Sequence, residues 1–560
     1  MLIGIDVGGT FTDGVVVSKA GQVQAVAKYP TNHANLLESL TGCLDKLLCS
    51  FNPDQVERVA ISTTLLTNAV LEDRLDQVGL VIEAGPGLCP SDQMFGVKPY
   101  FIAGAIDFRG REIQPLDLTE ARHVARQCRE AGCEGVAVAT KFAQRNNSHE
   151  LALEKCLQKH FPAEAIGLSH RLYGKLNFPR RANTTYLTVA SRRLFQTFLQ
   201  GVEKAVRDRG ITAPIVVLKA DGGTTPVATA AFRPVETIYS GPAASVLGVL
   251  ALNPPQATLG IIDIGGTTTD LGLILDGNPL LSAKGAEIGR FKTVVRSFSV
   301  SSVAVGGDTA VGINAGQLFL SSKREGPAYC LGGPTPTPTD ALRFLGLSEF
   351  GDGERAAQAM QLLAQATGSV AKAVAEKVVS LVVERICHAF AGIVKAWENE
   401  PAYRVWEVLH PHRVKRFTLT GVGGAATGLI PLVAKQLNTD WQIPEYSKVA
   451  NALGAALAQP TFSATLRADT TQKQYTLAET GQQLGWPYGR GTLEQAKELA
   501  WQRFRQVAEE FGMSPECGEV TREEVFNVVN GWSTEGKIIE VAVERKAGVL
   551  NHVKEGETGE

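Results

Sequence analysis

The sequence predicts an α/β chain that carries one unit twice and ends in a small α+β appendage. Three observations predict it. The runs Asp6-Val7-Gly8-Gly9-Thr10-Phe11-Thr12-Asp13 and Asp263-Ile264-Gly265-Gly266-Thr267-Thr268-Thr269-Asp270 share the pattern D-x-G-G-T-x-T-D, each between two apolar, strand-like segments, and internal repetition is a strong guide to architecture. Short apolar strands alternate with amphipathic helices along most of the chain, as α/β layers require. From about Pro460 the texture changes to one helix and a few strands. The domains expected are residues 1–170, 171–459 and 460–560.

Each repeated run reads as strand, tight turn, strand. Paired glycines let the backbone turn sharply and come close to a ligand. Such a turn offers N–H groups and threonine hydroxyls to phosphate oxygens, and the leading Asp stands at a strand end, where a carboxylate holds Mg²⁺ through water. Either copy alone also describes an ordinary glycine hairpin. The recurrence favours two turns clamping one polyphosphate. Neither run fits the P-loop or the dinucleotide-binding glycine loop.

Composition narrows the partners. With 560 residues, 44% hydrophobic and 20% charged, the chain has the make-up of a soluble protein of three or four domains. A formal charge of −2 provides no basic field, so nucleic acid is not an expected partner. No apolar run reaches membrane-spanning length and Met1 leads straight into a strand, so the expected address is cytoplasmic, without membrane contact. Nine scattered cysteines make no disulfide framework, and the spacing of Cys128 and Cys133 is not that of a metal-ligand pair. His410 and His412, flanking Pro411, read as a solvated loop.

The remaining elements follow in order. Residues 35–48 form an amphipathic helix, and the strand 59–61 ends in Ser62-Thr63-Thr64, with Asn68 beyond it. A hydroxyl-rich strand end suits a ligand in an open α/β sheet, and equally suits a helix cap. Strands at 78–82 and 135–140 alternate with helices at 118–131 and 151–158; a long helix at 184–209 leads to a strand at 215–218. Ser240-Gly241 opens a helix to residue 250, either as an anion-receiving N-terminus or as plain capping. A third glycine turn follows at 305–308, and residues 354–399 are helical with a break near 367–369. The strand 417–420 feeds Gly421-Val422-Gly423-Gly424, which sets bare backbone beside a flat or anionic ligand. Residues 451–458 make a small-residue helix in which Gly454 permits close packing. In the tail, Thr492 and Gln495 form a capping box for a helix at 493–511, strands follow near 525–529 and 538–543, and 554–560 should fray.

On residues 3–17, 62–72, 146–150, 181–185, 240–248, 261–273 and 421–457 the chain resembles the hydantoinase A and 5-oxoprolinase family of the actin-like ATPase superfamily, over roughly residues 1–458. It departs at Ile61-Ser62, where the family usually carries His-Gly, and at Ala426, in the place of a family histidine. The resemblance implies two actin-like (ribonuclease H-like) halves around a cleft, with ATP between the turns. Asp6 and Asp263 would arrange Mg²⁺ and its waters. Thr10, Thr12, Thr267 and Thr268, with the amides of Gly8, Gly9, Gly265 and Gly266, would hold phosphates, and Gly421, Gly423 and Gly424 would lie near the adenosine. Asp13 and Asp270 are further catalytic candidates, equally readable as pinning their own hairpins. Ser62, Thr63, Thr64, Asn68, Ser240 and Gly241 would face a small-molecule substrate. The implied activity is ATP-dependent opening of a cyclic amide through phosphorylation of its carbonyl. A small-molecule kinase and an ATP-driven switch or reactivating protein are the alternatives. A second subunit of the hydantoinase B type is the partner the resemblance implies, and the oligomeric state stays open.

Overall fold

The computed structural model describes the chain except residues 50, 88–94, 175, 322–323, 401–412, 415, 490, 531 and 555–560, and the side chain of residue 530. His410, His412 and residues 555–560 thus lie outside the described residues. Lys554, expected to fray, donates its N–H to Gly21 O at 3.0 Å.

The sequence repeat is a repeat of backbone. Leu2–Val7 pairs antiparallel with Phe11–Val17, setting Asp6 opposite Asp13, and Leu259–Ile264 pairs antiparallel with Thr269–Leu275, setting Asp263 opposite Asp270. Residue for residue, the second register is the first advanced by 257 positions. On its other side each leading strand takes a parallel neighbour, Arg58–Thr63 in one copy and Thr418–Val422 in the other. This is the duplicated α/β, actin-like architecture expected of the sequence.

The first sheet has six strands, in the order Thr224–Pro226, Ile215–Leu218, Arg58–Thr63, Leu2–Val7, Phe11–Val17, Val23–Pro30. Its two outermost strands on one side come from beyond residue 170, so the sheet runs across the boundary expected between the first two domains. Parallel neighbours need a long crossover, and here it holds a second, four-stranded parallel sheet together with the helix Phe178–Arg207, whose Val202 and Val206 pack under Ile3 and Ile61. In that small sheet Val78–Glu83 and Gly135–Thr140 are buried along their whole length, as strands covered on both faces must be.

The second sheet runs Asn278–Pro279, Thr269–Leu275, Leu259–Ile264, Thr418–Val422, Asp440–Gln442, with Ser301–Val303 added to Thr269–Leu275. Helices Gly353–Thr367 and Ala371–Glu398 cover it, and Gly368, left-handed at φ +67°, closes the first of them. Two small-residue helices, Ser240–Ala251 and Ala450–Leu457, cross in backbone contact. A Cβ on Gly248 would stand 2.0 Å from Ala450 O, and one on Gly454 2.0 Å from Ala244 O, so neither position admits a side chain.

The C-terminal part is an antiparallel five-stranded sheet covered by Leu493–Glu510, with Phe504 at its centre and the Thr492–Gln495 capping box in place. Its two long strands, Glu519–Asn530 and Ser533–Arg545, extend well past the short apolar stretches that marked them. The chain then returns to the two α/β halves, where Leu550 N–H donates to Leu457 O and Val553 N–H to Ala251 O, each at 2.7 Å. Among the described residues no helix is long and apolar enough to cross a membrane.

Candidate active site

Both turns close in the same way: Gly8 N–H donates to Phe11 O at 3.2 Å and Gly265 N–H to Thr268 O at 3.0 Å. They face each other. A Cβ on Gly266 would lie 3.1 Å from Thr10 Oγ1. Behind the second turn sits the third glycine turn, with Gly307 N–H on Gly265 O at 3.0 Å and Asp308 N–H on Gly266 O at 2.7 Å. Asp308 in turn accepts from Arg324 Nη2 at 2.7 Å, which holds a guanidinium beside the second turn.

The leading carboxylates meet at one side chain. Asn451 Nδ2, on the small-residue helix, lies 3.3 Å from Asp6 Oδ2 and 3.4 Å from Asp263 Oδ2. Ser245 Oγ donates to Asp263 Oδ2 and stands 2.9 Å from Asn451 Oδ1. Because Asp13 and Asp270 are cross-strand partners of these two, four carboxylates crowd one cleft. Lys28 Nζ, 2.6 Å from Asp13 Oδ1, is the cation facing them.

Burial without enough positive charge shows in their acidities. Burial pushes the Asp6 carboxyl up to about 6, with the charges of Asp13 and Asp263 adding and the Ser62 and Asn451 side chains opposing. Burial pushes Asp270 up to about 7, aided by Asp263 and Asp6 and opposed by its hydrogen bond from Ser302. Asp263 and Asp13 are raised for the same first reason, against Ser245, Asn451 and Lys28 for the one and Lys28 for the other.

Strand alternation sorts the threonines. Thr10 is half-buried, and Thr267 and Thr268 are exposed on the turn. Thr12 is 0% exposed and bonds Thr31 Oγ1 at 3.1 Å, as its counterpart Thr269 donates to Val305 O at 2.7 Å. Successive side chains take opposite faces of a strand, so a cleft-facing Asp13 turns Thr12 away from the phosphate side. Gly421 is also displaced from its expected role. It is buried in its strand, where a Cβ would meet Ile430 Cγ1 at 2.3 Å, so it serves the packing of helix Ala426–Leu437. Gly423 does border the cleft, left-handed at φ +88°, with a Cβ position only 2.6 Å from Asp263 Oδ1, and Gly424 is exposed beside it. Ala426, in the place of the family histidine, is buried.

The six residues expected to face substrate do come together at the end of Arg58–Thr63. Ser62 is the register partner of Asp6. Ser240 Oγ accepts from Thr63 N–H at 3.2 Å and donates to Thr63 O at 2.9 Å; Thr64 Oγ1 donates to Val7 O and accepts from Asn68 Nδ2, each at 3.4 Å. A Cβ on Gly241 would lie 3.7 Å from Thr64 Cγ2. Thr63 and Ser240 are buried and spend their hydroxyls inside the fold, leaving Thr64 and Asn68 half-buried at its edge. Sequence reasoning missed Asn451, Ser245 and Lys28 as cleft residues. A signal existed for Asn451, the one polar residue in the otherwise small and apolar run Val449–Ala458.

The donor set fits Mg²⁺. Asp6 Oδ1 and Asp270 Oδ1 are buried without a hydrogen-bond partner, and four carboxylates against one lysine leave a deficit that a divalent cation fills. Among the described residues no three His, Cys, Asp or Glu side chains make a cage of their own, so a Mg²⁺ here would have to take most of its ligands from water and phosphate oxygens.

Two family models cover most of the chain: the hydantoinase/oxoprolinase N-terminal region matches residues 2–161, and hydantoinase/oxoprolinase matches residues 181–464. The chain belongs to the hydantoinase/oxoprolinase family. This family member is 24% identical over 487 residues to caprolactamase subunit alpha of Pseudomonas jessenii, covering 81% of this chain and 69% of the relative. It is 22% identical over 526 residues to 5-oxoprolinase 1 of Arabidopsis thaliana, covering 81% of this chain and 41% of that longer one. In fold it is similar to nucleotide-free acetone carboxylase, with a TM-score of 0.75 at 18% identity over 100% of this chain and 89% of the other. It is also similar to the ATP-dependent caprolactamase of Pseudomonas jessenii, with a TM-score of 0.69 at 20% identity over 98% and 87%.

Proposed function

We propose that this chain binds ATP and Mg²⁺ between its two glycine turns and transfers the γ-phosphoryl group to the carbonyl oxygen of a cyclic amide or related carbonyl compound, activating it for ring opening. The observation that carries the reading is Asn451, whose amide reaches both Asp6 and Asp263 and so marks where the two turns address one ligand. The names of the relatives, an ATP-dependent caprolactamase, a 5-oxoprolinase and an ATP-dependent acetone carboxylase, support the reaction class. Several relatives are named as subunits, the alpha of caprolactamase, the gamma of acetophenone carboxylase and the beta of acetone carboxylase. That supports this chain working beside a second subunit, of the hydantoinase B type.

An amide C–N bond resists water. In the proposed sequence the bond from the γ-phosphorus to its bridging oxygen breaks, ADP leaves, and a new bond joins that phosphorus to the carbonyl oxygen. Water adds to the carbon, the C–N bond breaks as nitrogen takes a proton, and the acyl phosphate hydrolyses to an acid and inorganic phosphate. The protein contributes placement and charge. Gly8 and Gly265 spend their N–H groups closing the turns, so the amides of Gly9 and Gly266, with the hydroxyls of Thr10, Thr267 and Thr268, would donate to phosphate oxygens. Asp6 and Asp263 would hold Mg²⁺ through its waters, and the ion supplies charge neutralisation. Gly423 and Gly424 leave room for the adenosine.

Asp6→Asn and Asp263→Asn should each lower ATP turnover by about 10²–10³-fold, the scale of losing one key electrostatic group, while circular dichroism stays native. Near-normal phosphate release from either purified variant would sink the reading. Phosphorus NMR of the products should show inorganic phosphate beside the opened acid; a stable phosphorylated product would assign a kinase instead.

A further inference from the structure

A cavity of about 380 Å³, within the roughly 300–1,000 Å³ usual for ligand sites, opens between the start of helix Ser240–Ala251 and the strand Ser301–Val303. One wall belongs to the strand that pairs with the second turn's hairpin: Ser302 is the register partner of Asp270, so the two side chains share a face of the sheet. The other wall continues the Ser240–Gly241 turn through Pro242 and Ala243. There Tyr239, held left-handed at φ 57°, donates its N–H to Thr67 Oγ1 at 3.0 Å. The cavity thus adjoins the strand that pairs with the second hairpin and the turn that leads into Ser240–Gly241, a position that suits a phosphoryl acceptor approaching the cleft from the side. Phe298 closes its far side and divides it from a cavity of about 860 Å³ beneath the C-terminal sheet.

The lining has a definite chemistry. Five serines, at 282, 297, 299, 301 and 302, sit among Phe298, Val300, Pro242 and alanines. Among the described residues its one charged side chain is Glu287, ion-paired with Arg180. A carboxylate brought here would lose its water and find no cation in the described lining, since Arg180 is already paired with Glu287, a combination that burial does not forgive. Hydroxyls, by contrast, satisfy an amide or ketone at no charge cost.

We propose that this cavity is the acceptor pocket and that it takes a small uncharged carbonyl compound, a lactam or ketone, while rejecting cyclic amides that bear a carboxylate. This rests on the phosphoryl-transfer reading above.

The matched probes are 2-pyrrolidinone and 5-oxoproline, which share a ring and differ by one carboxylate. Calorimetric titration of the full chain with Mg²⁺ and a non-hydrolysable ATP analogue should find 2-pyrrolidinone bound at least about tenfold more tightly. Ser301→Arg, on a half-exposed edge strand, should narrow or reverse that ratio by supplying the missing cation. Equal or tighter binding of 5-oxoproline by the unsubstituted chain overturns the proposal, as does a ratio that Ser301→Arg, shown folded by its melting curve, leaves unmoved. If neither probe binds while ATP turnover still depends on Asp6 and Asp263, the pocket falls and the phosphate clamp stands. If turnover is independent of both carboxylates, the two readings fall together.

Discussion

The two glycine hairpins share a backbone and differ in how their second carboxylate is held. Asp13 has Lys28 at 2.6 Å. Among the described residues Asp270, at the same register position, stands opposite Ser302 and no cation, and its Oδ1 has no hydrogen-bond partner. The parallel neighbours differ too. Beside the first hairpin the strand ends in Thr63-Thr64, and beside the second it ends in Gly423-Gly424. Duplicating a fold therefore did not duplicate its electrostatics or its surface. The first copy sets one lysine against its two carboxylates and is lined with hydroxyls, whereas among the described residues the second has no such cation beside Asp263 and Asp270 and offers bare backbone. A polyphosphate held between the two turns would therefore meet the second copy only in company with a cation.

The sharpest way to break that comparison is to remove the charge from each copy in turn. Asp270→Asn should cost about 10²-fold or more in ATP turnover, and Asp13→Asn about tenfold less than that, because Lys28 already offsets Asp13. Stability should move the other way. Asp270 has a folded value near 7 against 3.8 unperturbed, so the folded state binds the extra proton. Its contribution to stability is fully present below about pH 4 and is lost as pH rises through about 7. The loss is on the order of 4 kcal/mol at pH 8, at about 1.4 kcal/mol per pKa unit. Ligand-free wild type should therefore melt lower at pH 8 than at pH 5, and Asp270→Asn should flatten that slope and melt higher at pH 8. Equal effects of the two substitutions on turnover and melting would erase the asymmetry.

A smaller effect tests the glycine wall. Gly423→Ala must place a side chain at φ +88° and 2.6 Å from Asp263 Oδ1, so a loss of about 1–3 kcal/mol is expected. Gly424→Ala meets open space, and its melting curve should stay within about 0.5 kcal/mol of wild type. If Gly424→Ala proves as destabilising as Gly423→Ala, the close approach to Asp263 is not what fixes this loop.

What the sequence made legible was local, and what it hid was distant. The hairpins could be read because glycine pairs and apolar frames lie within a dozen residues of each other, and the helix break at Gly368 for the same reason. That Ile215–Leu218 joins the first sheet could not be read, since an apolar tetrapeptide carries no mark of its partner more than 150 positions earlier. Asn451 was hidden likewise. Its role exists only once two helices with no side chain at Gly248 and Gly454 bring it between carboxylates drawn from the two copies of the repeat. Gly421 stood in a glycine-rich run whose first member answers to Ile430 and whose third answers to Asp263.

Thr12 is the one misplacement that local periodicity would have caught, and it yields the smallest effect. Its hydroxyl meets Thr31 rather than the cleft, so Thr12→Val, which keeps the shape, removes one buried hydrogen bond worth about 1 kcal/mol. The KM for ATP should not change. Thr10→Val, on the turn itself, should raise that KM by several-fold while leaving the melting temperature nearly unmoved. Thr269→Val should cost slightly more stability than Thr12→Val, because Thr269 ties the second hairpin to Val305 and the glycine turn behind it. Steady-state kinetics on the first two variants decide the matter. A rise in KM with Thr12→Val as large as that with Thr10→Val would return Thr12 to the phosphate-facing set, and would mean that the first hairpin twists enough to present both faces to one ligand.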